Sequence, residues 1–131
     1  MAQCNYIDAE VALALHATVI GLTTGSLGVR DMNGLLGCLA RPKTTIGDTE
    51  MFPTIFDKTA ALTESIARNH AFIDGNKRTA YLSGAHLLMI NGYTLAPKSG
   101  EIETFMLWIV TQKPQLSEIA AWLEARSTKK A

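Results

Sequence analysis

The sequence predicts a small all-α domain with one flap, and three observations support this prediction. Apolar residues recur with helical spacing over most of the 131 residues. One stretch, residues 43–53, loses that spacing and carries a Gly-Asp pair between short extended pieces, which is typical of a hairpin. A chain of this length fits one compact domain, and no repeat, low-complexity segment or domain boundary interrupts it.

The N-terminal half is predicted to form three helices and the flap. Asp8 can cap a first helix that ends near Gly21, and residues 22–28 are typical of a loop. A second short helix over 31–40 stops before Pro42, because the residue that precedes a proline avoids helical geometry. After the flap, a third helix carries the chain to residue 68 with one face formed by Ile55, Thr59, Leu62 and Ile66.

The C-terminal half is predicted to be helical as well. A helix that begins at Asn76 is apolar or small nearly all round, which indicates a central, buried position. A turn at Asn-Gly-Tyr ends it, and Ser99 can cap the helix that follows. A last helix begins near Pro114 and Ser117. The domain is therefore predicted over 1–127, with a frayed tail over 128–131.

Bulk composition excludes several classes of function. Lys plus Arg and Asp plus Glu number 12 each, so no global field attracts nucleic acid or an anionic membrane. Only the stretch from Arg68 to Arg78 is locally basic. The two cysteines, Cys4 and Cys38, have no metal-ligand spacing and indicate no disulfide scaffold. The N-terminus has no signal-peptide pattern, and these features together predict a cytoplasmic protein.

Residues 69–80, NHAFIDGNKRTA, do not have the pattern of ordinary packing. A helix end and a loop are predicted before Asn76, which begins the buried helix. A helix N-terminus presents unpaired N–H groups and partial positive charge, which bind phosphate. Gly75 lets the backbone approach a ligand closely, and Lys77 and Arg78 add full charges. The junction is therefore predicted to bind phosphate.

Two further side chains in this stretch suit catalysis on a phosphorylated ligand. Asp74 is a hard oxygen ligand, and phosphate-bound Mg²⁺ usually takes one or two carboxylates from protein. His70 can accept a proton near neutral pH, as a general base toward a hydroxyl does. We expect Phe72 to anchor the loop in the core.

Each of these residues also has an ordinary structural interpretation. A single histidine at a helix end is often a capping side chain, and a basic pair is often a solvated helix face. His70 and Asp74 have the spacing of two zinc ligands on a helix, but Gly75 and Asn76 interrupt the helix and a third ligand is missing. His16 and His86 are interpreted as structural. The histidine, the acid, the glycine, the asparagine and the basic pair of the motif all fall within nine residues at a predicted loop-to-helix junction. This concurrence favours the functional interpretation.

The nine residues HAFIDGNKR resemble the signature of the Fic/Doc superfamily, His-x-Phe-x-Asp/Glu-Gly/Ala-Asn-Gly/Lys-Arg. The predicted helix order, the flap, the Asn-Gly-Tyr turn and the length resemble the Doc (death-on-curing) toxin branch. Typical Fic adenylyltransferases have glycine where this chain has Lys77, and a second arginine where it has Tyr81. Both departures are typical of the Doc branch. The resemblance implies a Fic-type fold of about six helices.

The resemblance also implies a role for each matching residue. His70 would be the general base that activates a Thr or Ser hydroxyl, and Asp74 would hold Mg²⁺ on the phosphates of ATP. The phosphates would be held by Gly75, Asn76, Lys77 and Arg78. Arg68, which matches an arginine in Doc, would contact nucleotide or partner. The flap, residues 43–52, would align the target segment by strand pairing.

The implied activity is phosphoryl transfer from ATP to a protein of the translation machinery, of the elongation factor Tu class, which halts translation. In the Doc branch the lysine narrows the anion site, and ATP presents its γ-phosphate to the hydroxyl. AMP transfer, as in ordinary Fic proteins, is the alternative within the enzyme class. A non-catalytic binding module that retains the motif is a second alternative, although the intact His70 and Asp74 argue against it.

Control of the activity is expected to come from a separate protein. Many Fic enzymes carry an inhibitory helix with the pattern Ser/Thr-x-x-x-Glu-Gly/Asn, whose glutamate pairs with the second arginine. No glutamate of this chain is followed by glycine or asparagine, and Tyr81 replaces the arginine. The resemblance therefore implies a Phd-like antitoxin whose C-terminal segment folds as a helix on this chain near the nucleotide site.

Overall fold

Six α-helices make up most of the chain in a computed structural model that describes residues 3–22, 25 and 28–130. The helices are α1 (Ala9–Gly21), α2 (Met32–Ala40), α3 (Ile55–Asn69), α4 (Asn76–Ile90), α5 (Glu101–Gln112) and α6 (Leu116–Ala125), and a 3₁₀ turn covers Arg41–Lys43. This confirms the predicted all-α class. The loop predicted over 22–28 lies mostly outside the described residues.

The predicted flap is an antiparallel hairpin directly before α3. Strand β1 (Thr45–Ile46) pairs with β2 (Thr49–Glu50), and Ile46 faces Thr49 across the turn. Gly47 takes φ +62°, which the tight turn requires and which glycine adopts without steric cost. The hairpin is exposed to solvent over its whole length.

The cap predicted from the sequence is present at the start of α1 but not at the start of α5. The Asp8 carboxylate caps α1 by accepting a hydrogen bond from Val11 N at 3.0 Å, as predicted. The prediction that Ser99 caps α5 is wrong, because Gly100 is the N-cap residue and no side chain in the described ranges caps that end. Gly100 takes a left-handed conformation, and Glu101 reaches back to accept from Lys98 N at 2.7 Å. The acid in the first turn therefore binds the segment that precedes α5 and does not cap the helix.

The core is centred on α3 and α4, which pack against each other along their lengths. A Cβ built on Gly84 of α4 would lie 2.4 Å from Thr63 Oγ1 of α3, so this close approach requires glycine. Ala80, Leu87 and Leu88 of α4 are buried in the same core. The predicted central, buried helix is therefore confirmed, and its N-terminus is held rigidly at the motif loop.

The predicted frayed tail is wrong for the residues that the structure describes. Strand β4 (Ser127–Lys129) pairs antiparallel with β3 (Tyr93–Leu95), and Lys130 N donates to Gly92 O at 2.8 Å. Arg126, the residue before β4, is fixed by two contacts. It pairs with Glu101 at 2.7 Å, and its guanidinium lies over the Trp122 ring at 4.1 Å from the ring centroid. The edge of β3 offers backbone groups that the tail satisfies.

No helix in the described ranges combines the length and the hydropathy that crossing a bilayer requires. Cys4 and Cys38 are both free thiols.

Candidate active site

His70 lies at the point where α3 ends and the motif loop begins. It is the C-cap residue of α3, with φ 56° and ψ 40°, and its side chain is exposed. A left-handed conformation at a residue other than glycine costs about 1 kcal/mol and persists only where surrounding contacts impose it. The turn leads the chain away from the axis of α3, so that the imidazole stands at the edge of the loop.

The loop is held from one side by the backbone of the segment that precedes α2. Ala71 O accepts hydrogen bonds from Arg30 N at 2.7 Å and Asp31 N at 3.0 Å, and Ile73 N donates to Gly28 O at 3.1 Å. A Cβ at Gly28 would lie 2.6 Å from Ile73 Cδ1, so a side chain there would force a shift. Sequence reasoning missed this support, because backbone pairing between separate loops has no sequence pattern.

Asn76 shapes the loop through its side chain. Its Oδ1 accepts a hydrogen bond from Phe72 N at 3.1 Å, and its Nδ2 donates to Phe72 O at 2.9 Å. Both polar atoms of the amide are therefore used inside the loop. The side chain of Asn76 therefore closes the loop between Phe72 and α4, and the phosphate contact predicted for this residue stays a prediction.

The N-terminus of α4 has the features of an anion site. Gly75 is the N-cap residue with φ 80° and ψ 18°, and no side chain of the described residues caps this end. The first backbone bond back to the cap is Thr79 N to Gly75 O at 2.9 Å. The preceding N–H groups therefore remain as donors, beside the exposed side chains of Lys77 and Arg78. The structure brings these predicted residues together.

Asp74 lies between His70 and this anion site. Its side chain is exposed, and its backbone carbonyl lies 2.8 Å from Nε2 of His16 on α1. No group of three or more His, Cys, Asp or Glu residues in the described ranges could hold a metal ion by itself. A cation at Asp74 would take most of its ligands from bound phosphate and water, which is the usual coordination of Mg²⁺.

A groove of about 500 Å³ opens beside the anion site. Lys77, Arg78 and Tyr81 of α4 line one side of it. Its apolar walls come from α1 and α5, through Val19, Leu22, Ile102, Met106 and Leu107. Burial raises the pKa of the Tyr81 phenol above its ordinary value of 10, so Tyr81 is neutral at pH 7. It adds no charge to that of Lys77 and Arg78.

The structure does not bring Arg68 to the other predicted site residues. Its Nη1 pairs with Glu64 Oε2 at 2.9 Å, and its Nη2 donates to Ile109 O at 2.9 Å. Arg41 pairs with the other oxygen of Glu64 at 2.7 Å. Arg68 lines a cleft together with Arg41 and Asn69. Its contacts are those of a structural residue.

Comparison with known proteins agrees with this geometry. The sequence profile of the Fic/DOC family matches residues 6–88, which include α1, the flap, α3, the motif loop and most of α4. The chain is 40% identical over 121 residues to a protein of Mycolicibacterium smegmatis named "Toxin Doc", and the match covers 91% of each chain. The chain therefore belongs to the Fic/DOC family.

Proposed function

We propose that this protein transfers the γ-phosphoryl group of ATP to a Ser or Thr hydroxyl of a protein of the translation machinery, of the elongation factor Tu class. The observation that carries the proposal is the placement of two cations, Lys77 and Arg78, at the uncapped N-terminus of α4. One turn further along the same helix lies the neutral Tyr81. AMP-transferring Fic proteins resemble this chain but have a second arginine at that position. The absence of that charge favours phosphoryl transfer.

His70 acts as the general base in the proposed reaction. The hydroxyl gives its proton to the imidazole as its oxygen forms a bond to the γ-phosphorus, and the bond from that phosphorus to the bridging oxygen breaks to release ADP. Lys77, Arg78 and the N–H groups of the first turn of α4 stabilise the negative charge on the phosphate oxygens. The exposed position of His70 at the loop edge supports this role, because a protein hydroxyl can reach it.

Mg²⁺ is proposed to arrive with ATP and to be held by the Asp74 carboxylate. When bound, it neutralises charge on the phosphate oxygens and helps to orient them. One exposed carboxylate beside an anion site fits a cation that takes its other ligands from phosphate and water.

The flap is proposed to align the target segment beside His70. Its strands have two residues each and are exposed, so an extended peptide can pair with an edge. Ile46 and Met51 are 67% and 46% exposed, which offers apolar contact to a target. These features support a protein substrate rather than a small molecule.

We further propose that the chain is the toxin of a toxin-antitoxin pair. The name of the M. smegmatis relative, "Toxin Doc", and the 40% identity support this assignment. The inhibitor is proposed to be a Phd-like antitoxin whose C-terminal segment folds as an amphipathic helix. The apolar groove beside Lys77, Arg78 and Tyr81 supports the proposal, because a helix lying there would bury its apolar face and cover the phosphate site.

Label transfer from ATP tests the proposed reaction. The protein is incubated with bacterial extract and ATP labelled at either the α or the γ phosphate, with the His70→Ala protein as the matched control. We expect label in a protein band from γ-labelled ATP only, and none with the control. Protein labelled from α-labelled ATP would show AMP transfer instead of phosphoryl transfer. No label from either nucleotide would favour a binding module.

Induction of the protein alone in bacteria tests the toxin assignment. We expect growth to stop with the wild-type chain and to continue with His70→Ala at equal soluble expression. Normal growth with soluble wild-type protein would contradict the assignment.

A further inference from the structure

His16 of α1 contacts the motif loop at Phe72 and Asp74 and lies close to Gly75. It is only 2% exposed, and its ring stacks on Phe72 with centroids 3.9 Å apart and planes 9° apart. Its Nε2 lies 2.8 Å from Asp74 O. Its Cδ2 lies 3.8 Å from the position that a Cβ on Gly75 would occupy. A single buried side chain thus contacts the anchor Phe72 and the backbone of the metal-ligand candidate Asp74, next to the N-cap of α4.

The acceptor identifies which group donates in the hydrogen bond between His16 and Asp74. A backbone carbonyl only accepts hydrogen bonds, so Nε2 must carry the proton and donate it to Asp74 O. Packing alone would be satisfied by any apolar ring at this position of α1. The donor adds a directional bond to the peptide that joins Asp74 to Gly75, and this peptide sets where the carboxylate points and where α4 begins.

We propose that His16 is a positioning residue, which holds Asp74 and the first turn of α4 in the geometry that binds a Mg²⁺-bound polyphosphate. The inference rests on the proposed function for its ligand class. The loop begins with a left-handed histidine, and such backbone at a residue other than glycine persists only where neighbouring groups impose it. The segment before α2 holds the outer side of the loop at Ala71 and Ile73, and His16 holds the inner side at Phe72 and Asp74.

Two substitutions separate the hydrogen bond of His16 from its packing. His16→Phe keeps a ring that can stack on Phe72 but has no donor, whereas His16→Gln keeps a side-chain N–H that can reach the carbonyl. His86→Phe is the matched control, since His86 is a half-buried histidine of α4 outside the motif loop.

The first measurement is amide hydrogen exchange at residues 72–76 in the protein without nucleotide. We expect about tenfold faster exchange in His16→Phe, the factor that corresponds to one hydrogen bond of ordinary net strength, with near wild-type values in His16→Gln and His86→Phe. The second is the Mg²⁺ concentration needed for half-maximal ATP binding by calorimetry, which we expect to rise about tenfold in His16→Phe only.

The outcomes distinguish this inference from the proposed reaction. Unchanged loop exchange and unchanged Mg²⁺ dependence in a folded His16→Phe protein would overturn the positioning role, whatever group is transferred. Faster amide exchange of the loop in His16→Phe, found together with AMP transfer in the labelling experiment, would contradict the proposed reaction but support the role of His16.

A measurement on the wild-type protein covers the case in which His16→Phe does not fold. The imidazole ¹⁵N spectrum at neutral pH is expected to have a proton on Nε2 of His16 that exchanges slowly with solvent. A neutral ring with its proton on Nδ1 cannot donate to Asp74 O and would overturn the proposal.

Discussion

Lys58 Nζ lies 2.9 Å from Glu50 Oε1, so a buried cation of α3 holds the second strand of the flap. The Lys58 side chain is only 4% exposed and also donates to Phe52 O, while the Glu50 carboxylate is 54% exposed. Phe52 in turn lies under the Arg41 guanidinium, 5.6 Å from its ring centroid. The stem of the flap is therefore attached to the helical core, although its tip at Gly47 is exposed.

The first prediction is that Lys58→Met loosens the flap. Methionine fills similar volume without the two contacts. The exposed Glu50 carboxylate can be solvated, but Phe52 O loses its donor, so we expect the free energy of unfolding to fall by about 1–3 kcal/mol. We expect the KM for the protein target to rise several-fold while the KM for ATP stays constant. Steady-state kinetics with both substrates measure this. Lys113→Met, at an exposed lysine after α5, is the control. An unchanged KM for the protein target in Lys58→Met would contradict the role of Lys58 in holding the flap.

The second prediction concerns His70. Asparagine tolerates the left-handed conformation of this position, so His70→Asn keeps the loop geometry and removes the base. We expect the transfer rate to fall by about 10²- to 10⁴-fold, the usual contribution of a general base, with unchanged ATP affinity. Rate measurements and calorimetry on the same preparation check both parts. A rate close to wild type would remove His70 from the chemistry.

The third prediction is a pH dependence of stability due to Glu101. Hydrogen bonds from Arg126 and from Lys98 N lower the pKa of this carboxyl from 4.5 to about 2. Because the folded-state pKa is depressed, the stabilisation is present above pH 4.5 and is lost as the pH falls toward 2. We expect Glu101→Gln to flatten the decline of the melting temperature over this interval. Glu103→Gln, in the same turn but exposed, should decline like the wild type.

The fourth prediction concerns the groove beside the anion site. Leu107 is 55% exposed and lines the groove, so Leu107→Lys puts a charge where the proposed antitoxin helix would bury apolar surface. We expect the affinity for the antitoxin segment to fall about tenfold or more, with the transfer rate unchanged. Leu36→Lys is the control, since Leu36 is 47% exposed on α2 and outside the groove. Equal affinities of the two variants would exclude this groove as the binding surface.

Local sequence pattern was sufficient for the helices, the flap and the loop-to-helix junction of the motif. Asp8 caps its own helix through a residue three positions away, and the helix break predicted before Asn76 is present between α3 and α4. Such signals depend on groups within about one turn of each other, so the chain alone specifies them. The proximity of His70, Asp74, Lys77 and Arg78 was predictable for the same reason, since all four lie within nine positions at this junction.

Only the tertiary structure decided what surrounds the motif. His16 and Asp74 are 58 positions apart, and the pairing of β4 with β3 joins residues that are 32 to 36 positions apart. Arg68 is close to His70 in sequence, yet its guanidinium donates to the α5 carbonyl of Ile109, 41 positions away. These contacts depend on which helix faces pack together, and packing joins groups whose separation along the chain carries no periodic signal.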